Sequence, residues 1–207
     1  MEHVERQIVA MLSDTRHAFD AAMSSLVGGA DPATLRDDIV ATDRRVNQAE
    51  SEIRRELIVH ASVHGSTEIG VLMAYLLAVK KIERLGDQTK NVFELAEEGV
   101  NLVDAPDRDG LIAQRDEISE LIGQSGEIFT DRDEDRAAEL ISQGSALLDR
   151  LDAEVKESLH SDAPASVAVP RALLARYLKR IVANVMGVVS MVTRPIDERK
   201  GISDDID

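Results

Sequence analysis

The chain reads as an all-α protein made of two tandem antiparallel three-helix bundles. Three observations predict this. Apolar residues recur at helical spacing almost throughout. Aromatics are only 2% of the 207 residues, fewer than a sandwich or barrel of this size would use. The apolar pattern also breaks once, in the middle, and then repeats.

Each element has its own signals. The first helix carries Val4, Ile8, Met11, Thr15, Ala18, Ala22 and Leu26 and ends at Gly28-Gly29. Asp31-Pro32 supplies a cap and a proline at the first helical position. The second helix follows with Leu35, Ile39, Thr42, Val46, Ala49, Ile53 and Leu57, ending near His64-Gly65. The third starts near Ser66 and is apolar around much of its girth, through Leu72, Tyr75, Leu76, Val79, Ile82, Leu85 and Val92. It should therefore be the most buried. The polar stretch Asp104–Gly110 is the strong internal break and marks a domain boundary. A fourth helix (Leu111 to Ile128) and a charged turn (Thr130–Asp133) come next, then a fifth helix (Leu140 to Leu159). Residues Ser161–Pro170 read as a loop. The sixth helix runs from Leu174 to Val192, stopped by Arg194-Pro195. The division is 1–104, 109–195 and an acidic tail, 196–207. Val182, Met186 and Val189 form an extra stripe on the sixth helix, suited to core, to packing between bundles or to a dimer interface.

Charge narrows the function. Asp and Glu number 39 against 24 Lys and Arg, a net charge of −15. Such a surface repels nucleic acid and anionic lipid heads. Without cysteine, thiolate metal sites and Cys nucleophiles are ruled out. No apolar run is long enough to span a membrane, and the N-terminus lacks a leader pattern, so a cytoplasmic protein is expected.

The chemistry concentrates in Lys80–Asn91. Glu83 and Asp87 share a helix face and extend the stripe of Leu72, Leu76 and Val79 toward the seam of the bundle. Lone charges there are costly, so a base, a proton or a metal must compensate. On the second helix, Asp43 and Asn47 have the same spacing and would face them. Oxygen donors of this kind suit a hard or borderline cation. Ordinary ion pairs with Arg44, Lys80 or Arg84 are the alternative. Gly86 between the acids suggests close approach of a neighbour. His60 and His64 make an H-x-x-x-H pair, open to zinc or nickel or to interaction with a helix C-terminus. No Gly-rich phosphate loop or nucleophile elbow occurs.

Glu83-Arg84-Leu85-Gly86-Asp87-Gln88-Thr89-Lys90-Asn91-Val92 resembles the ERIGDxAxNI signature of the PhoU family, and the segment from Asp43 to Ile53 is similar to that family's second-helix segment. The resemblance implies tandem three-helix bundles and metal ligation by Glu83, Asp87, Asp43 and Asn47. It implies a divalent or trivalent metal such as iron, manganese, magnesium or zinc. It implies a non-enzymatic regulator of phosphate uptake and phosphate signalling, acting on phosphate transporter components and a sensor histidine kinase, peripheral at the inner membrane face and able to form a homodimer. The other reading is a metal-binding or metal-buffering helical protein unrelated to phosphate. The second half departs from the signature. Lys179 and Ala183 stand where Glu and Asp would be, Val182 replaces Gly, and Ser145 replaces the facing Asp. Lysine cannot ligate a cation. Metal is therefore expected in the first bundle only, with Lys179 in the second either pairing with Asp149 or extending to solvent.

Overall fold

The computed structural model describes residues 1–64 and 68–193, with side chains to 191. It contains six long helices and no strand among the described residues: α1 (Glu2–Met23), α2 (Pro32–His64), α3 (Ile69–Glu97), α4 (Arg108–Asp131), α5 (Glu134–Leu159) and α6 (Ala165–Thr193). One wide turn, Ser24–Gly28, extends α1, and Gly29 closes it in the left-handed region at φ 78°. The Asp31 carboxylate accepts from Ala33 N at 2.9 Å, and Pro32 opens α2 as expected. At the charged turn Arg132 adopts φ 54° and Asp133 caps α5 by accepting from Arg136 N.

Two features differ from the sequence reading. α6 begins at Ala165, so Pro170 lies inside the helix rather than in a loop. Its ring costs one backbone bond, to the carbonyl of Ser166, and the second turn of a helix absorbs that loss. Residues 181–190 of α6 are buried throughout, which makes α6 at least as enclosed as α3. The expected start of α3 at Ser66, the stop at Arg194-Pro195 and the tail 196–207 lie outside the described residues.

α2 and α3 run antiparallel, as do α4 with α5 and α5 with α6. The two bundles meet along α1–α4 and α3–α6, so the boundary near residue 104 does not separate two cores. One apolar cluster continues from Ile8, Phe19 and Ile82 to Ile118, Leu147 and Val185. Arg108 donates to Val27 O at 2.9 Å, and Leu102 N donates to Leu26 O at 2.8 Å. Arg16 lies across Gly123, where a Cβ would stand 2.3 Å from its Nη1, and reaches Ser119 Oγ at 2.9 Å. At the other end Tyr75 of α3 donates to Glu5 of α1, and Arg132 binds both. Val182, Met186 and Val189 are buried, and Met186 packs on Gly144 of α5, so this stripe is core.

Candidate functional site

The acids singled out in the sequence line one seam, between α2 and α3. A register through Val46 and Gly86 sets Asp43 beside Lys90 and Glu50 beside Lys80. Glu83 is pulled in because it continues the apolar stripe, and only 14% of its side chain is exposed. Its Oε2 is buried and accepts no hydrogen bond. Lys80 Nζ stands 2.7 Å from that oxygen, an ion pair outside hydrogen-bond geometry. Asn47 donates to Asp43 Oδ2 at 3.3 Å, and Lys90 Nζ lies 3.9 Å from the same oxygen. Burial and the nearby Glu83 and Asp43 carboxylates push the Asp87 carboxyl above its ordinary range, against the pull of Lys80 and Lys90.

Glu50 also belongs to the seam; the sequence reading has it in the second-helix segment similar to the family's but not among the four ligands. Its side chain is 11% exposed and sits between Arg54 at 3.0 Å and Lys80 at 4.0 Å. The signal was available: Glu50 continues the stripe of Thr42, Val46 and Ile53.

The donor chemistry of Asp43, Glu83 and Asp87 suits a hard cation, but the donors are not gathered around one point. Among the described residues no three Asp, Glu or His side chains are disposed to hold a metal ion. The positive charge in the seam comes from Arg54 beside Glu50 and from Lys80 and Lys90, one helical turn before Glu83 and one after Asp87. Gly86 does not mark a close approach, since a Cβ there would lie 3.9 Å from Val46 Cγ1. The hollow beneath it, lined by Thr42, Asp43, Val46 and Lys90, has a volume of about 10 Å³. A larger cleft, about 530 Å³, opens elsewhere, between α4, α5 and the start of α6. There Gln114 donates to Glu154 at 2.8 Å, and burial raises the Glu154 carboxyl.

In the second bundle Lys179 donates to Asp152 at 2.5 Å, not to Asp149. Asp149 lies one turn earlier on α5 and is exposed. Asp152 is also reached by Lys156 at 2.6 Å. Lys156 and Lys179 together hold its carboxyl down at about 2. The His60 and His64 rings stack with centroids 4.0 Å apart. His60 Nε2 lies 2.6 Å from Glu68 Oε2, and His64 Nδ1 lies 3.2 Å from His60 O. These contacts occupy the pair at the C-terminal end of α2.

No described helix is long and apolar enough to cross a membrane. Comparison with curated protein sequences gave no match. Residues 8–96 match the family model of the PhoU domain, which spans α1 to α3 and the whole acidic seam. Among solved structures the chain is similar to PhoU from Pseudomonas aeruginosa, with a TM-score of 0.78 and 16% identity. That alignment covers 92% of this chain and 94% of the other. Residues 8–96 therefore match a PhoU domain, and the chain as a whole shares the fold of that solved PhoU structure.

Proposed function

We propose that this protein regulates phosphate uptake and phosphate signalling through protein contacts and is not an enzyme. The observation that carries this reading is the PhoU-domain match over α1–α3, the segment that contains the acidic seam. The partners inferred are phosphate transporter components and a sensor histidine kinase, met at the inner face of the membrane. Crowded carboxylates, Glu83 and Asp43 part-buried and Asp87 exposed, give the seam its second role, as the place where a metal cation enters. Asp43, Glu83 and Asp87 are the donors, and Asn47 steadies Asp43. Loading requires Lys80 and Lys90 to swing out to solvent, which their long stems permit.

Two measurements test the reading. The first is phosphate uptake in cells lacking the gene, together with direct binding of the purified chain to the transporter's ATP-binding subunit and the kinase's cytoplasmic part. Unchanged uptake and no binding to either would end the regulatory reading. The second is metal content by plasma mass spectrometry after reloading with iron, manganese, magnesium or zinc. About one or more bound ions in the wild type and none in a Glu83→Ala, Asp87→Ala double variant is the expected result. Metal-free protein in both cases would remove the metal from the account and leave the protein contacts standing.

A further inference from the structure

α3 divides two unlike surfaces. Toward α2 it shows the acidic seam, and toward α6 it shows cations. Its partner there is antiparallel: the Lys81 stem crosses Gly187, where a Cβ would lie 3.0 Å from the Lys81 Cδ and Cε atoms. From that register the helix repeat sets Arg84 level with Asn184, and Gln88 level with Arg180. Arg176 lies one further turn along α6.

Lys81, Arg84, Arg176 and Arg180 have no ion-pair partner among the described residues, in a chain with 39 acids to 24 bases. Their neighbours Lys80, Lys90 and Lys179 each hold a carboxylate. Gln88, at the centre of this strip, is 9% exposed, yet its side chain makes no hydrogen bond. Neither polar atom of that amide is shut away from solvent, so it stays open to a ligand beside cations that lack a counter-ion. Burial, with Arg84 beside it, pushes the Lys81 ammonium below its ordinary pKa.

We propose that the α3–α6 seam binds an oxyanion of the phosphate class, free or carried as a phosphoryl group on a partner. Arg84 and Arg180 supply guanidinium forks, Gln88 an amide N–H, and Lys81 a further charge one turn away. Guanidinium forks match the geometry of several oxygens on one centre. Several cations in one strip favour a multivalent anion over chloride. The nearest carboxylates, Glu83 and Asp87, face the α2 seam, where Lys80 and Lys90 offset them. This inference rests on the cations of α3 and α6 and does not depend on whether the α2–α3 seam takes a metal.

Calorimetric titration at fixed ionic strength in chloride tests it. The probes are inorganic phosphate, a phosphoserine peptide and that peptide's unphosphorylated twin. The proteins are the wild type, an Arg84→Gln, Arg180→Gln variant, and an Arg44→Gln, Arg55→Gln control that removes the same charge from α2. Saturable binding of phosphate or of the phosphopeptide alone is expected in the wild type and the control. The seam variant should weaken it by at least about tenfold, through loss of two charge-assisted donors. Binding of phosphate itself identifies the free ion, and binding of the phosphopeptide only identifies a partner's phosphoryl group. Equal affinity in wild type and seam variant overturns the proposal, as does heat no larger than chloride gives. Circular dichroism checks each fold, and Lys81→Met replaces the double variant should that fail to fold.

Discussion

Gly86 sits in the middle of α3, between the two acids of the signature, and nothing in the packing requires it. A Cβ placed there would meet Val46 Cγ1 at 3.9 Å, an ordinary contact. Glycine in a helix interior costs about 0.8–1.0 kcal/mol relative to alanine, because the unfolded chain has more freedom to lose. The added methyl also covers part of Val46, worth a few tenths of the ~0.8 kcal/mol of a fully buried CH₂. Gly86→Ala should therefore stabilise the protein by about 1 kcal/mol, or ~2–4 °C in Tm for a chain of this size. Urea unfolding of the metal-free chain measures it, as a higher midpoint at unchanged slope. A lower midpoint would refute the reasoning, because it would mean that α2 and α3 approach more closely than the Val46 contact allows. Stabilisation accompanied by loss of metal or partner binding would say that the glycine serves an occupant of the seam.

Other outcomes follow from the same geometry. Asp87 has a folded-state pKa above its unfolded value, so it destabilises the charged native state above that pKa and is relieved as pH falls through it. Asp87→Asn should gain stability at neutral pH, and the gain should shrink toward pH 4, read as urea midpoints across that range. Tyr75→Phe removes the phenol that bonds Glu5 and Arg132, and should cost about 1 kcal/mol. The Tyr75 hydrogen bond is the main cause holding the Glu5 carboxyl down, and that stability is lost as pH falls below about 4.5. The variant should therefore lose less on acidification than wild type, which a thermal melt series checks. Gly144→Ala should cost about 1–3 kcal/mol, because its Cβ would lie 2.7 Å from Met186 Cγ and Sδ in a closed core. Chemical unfolding beside Gly86→Ala separates the two glycines by sign.

Helix ends were legible where a residue type permits only one local geometry. Gly28-Gly29, Asp31-Pro32 and Asp133 each mark the boundary that the structure has. Pro170 misled because proline is read as a break, whereas its φ suits a helix and near the N-terminus it costs a single bond. The acidic seam was legible because Glu83 and Asp87 extend an apolar stripe. Its compensation was only partly so. Lys80 was among the candidates, but Lys90 was not, and Arg84 is exposed and pairs with neither acid. Long stems choose between neighbouring seams by packing, which spacing along one helix does not encode. Lys179 shows the same limit: Asp149 and Asp152 share a face of α5, and the extra pull of Lys156 on Asp152 comes from a turn away.

The two bundles answer one electrostatic problem in different ways. In α5–α6 the substitution of Lys179 for an acid leaves Asp152 with two ammonium partners, so that seam is satisfied by the chain itself. In α2–α3, Asp43, Glu50, Glu83 and Asp87 share Lys80, Lys90 and Arg54. One carboxyl is forced above its ordinary pKa there, and a buried oxygen is left without a hydrogen bond. In α5–α6 the two ammonium groups instead hold the Asp152 carboxyl below its ordinary range. The seam with more acids than bases lies in the half that matches the PhoU domain, and the proposed cation is what would complete it. Variants that neutralise it, such as Glu83→Gln, should then raise stability of the isolated protein while removing whatever the seam recruits.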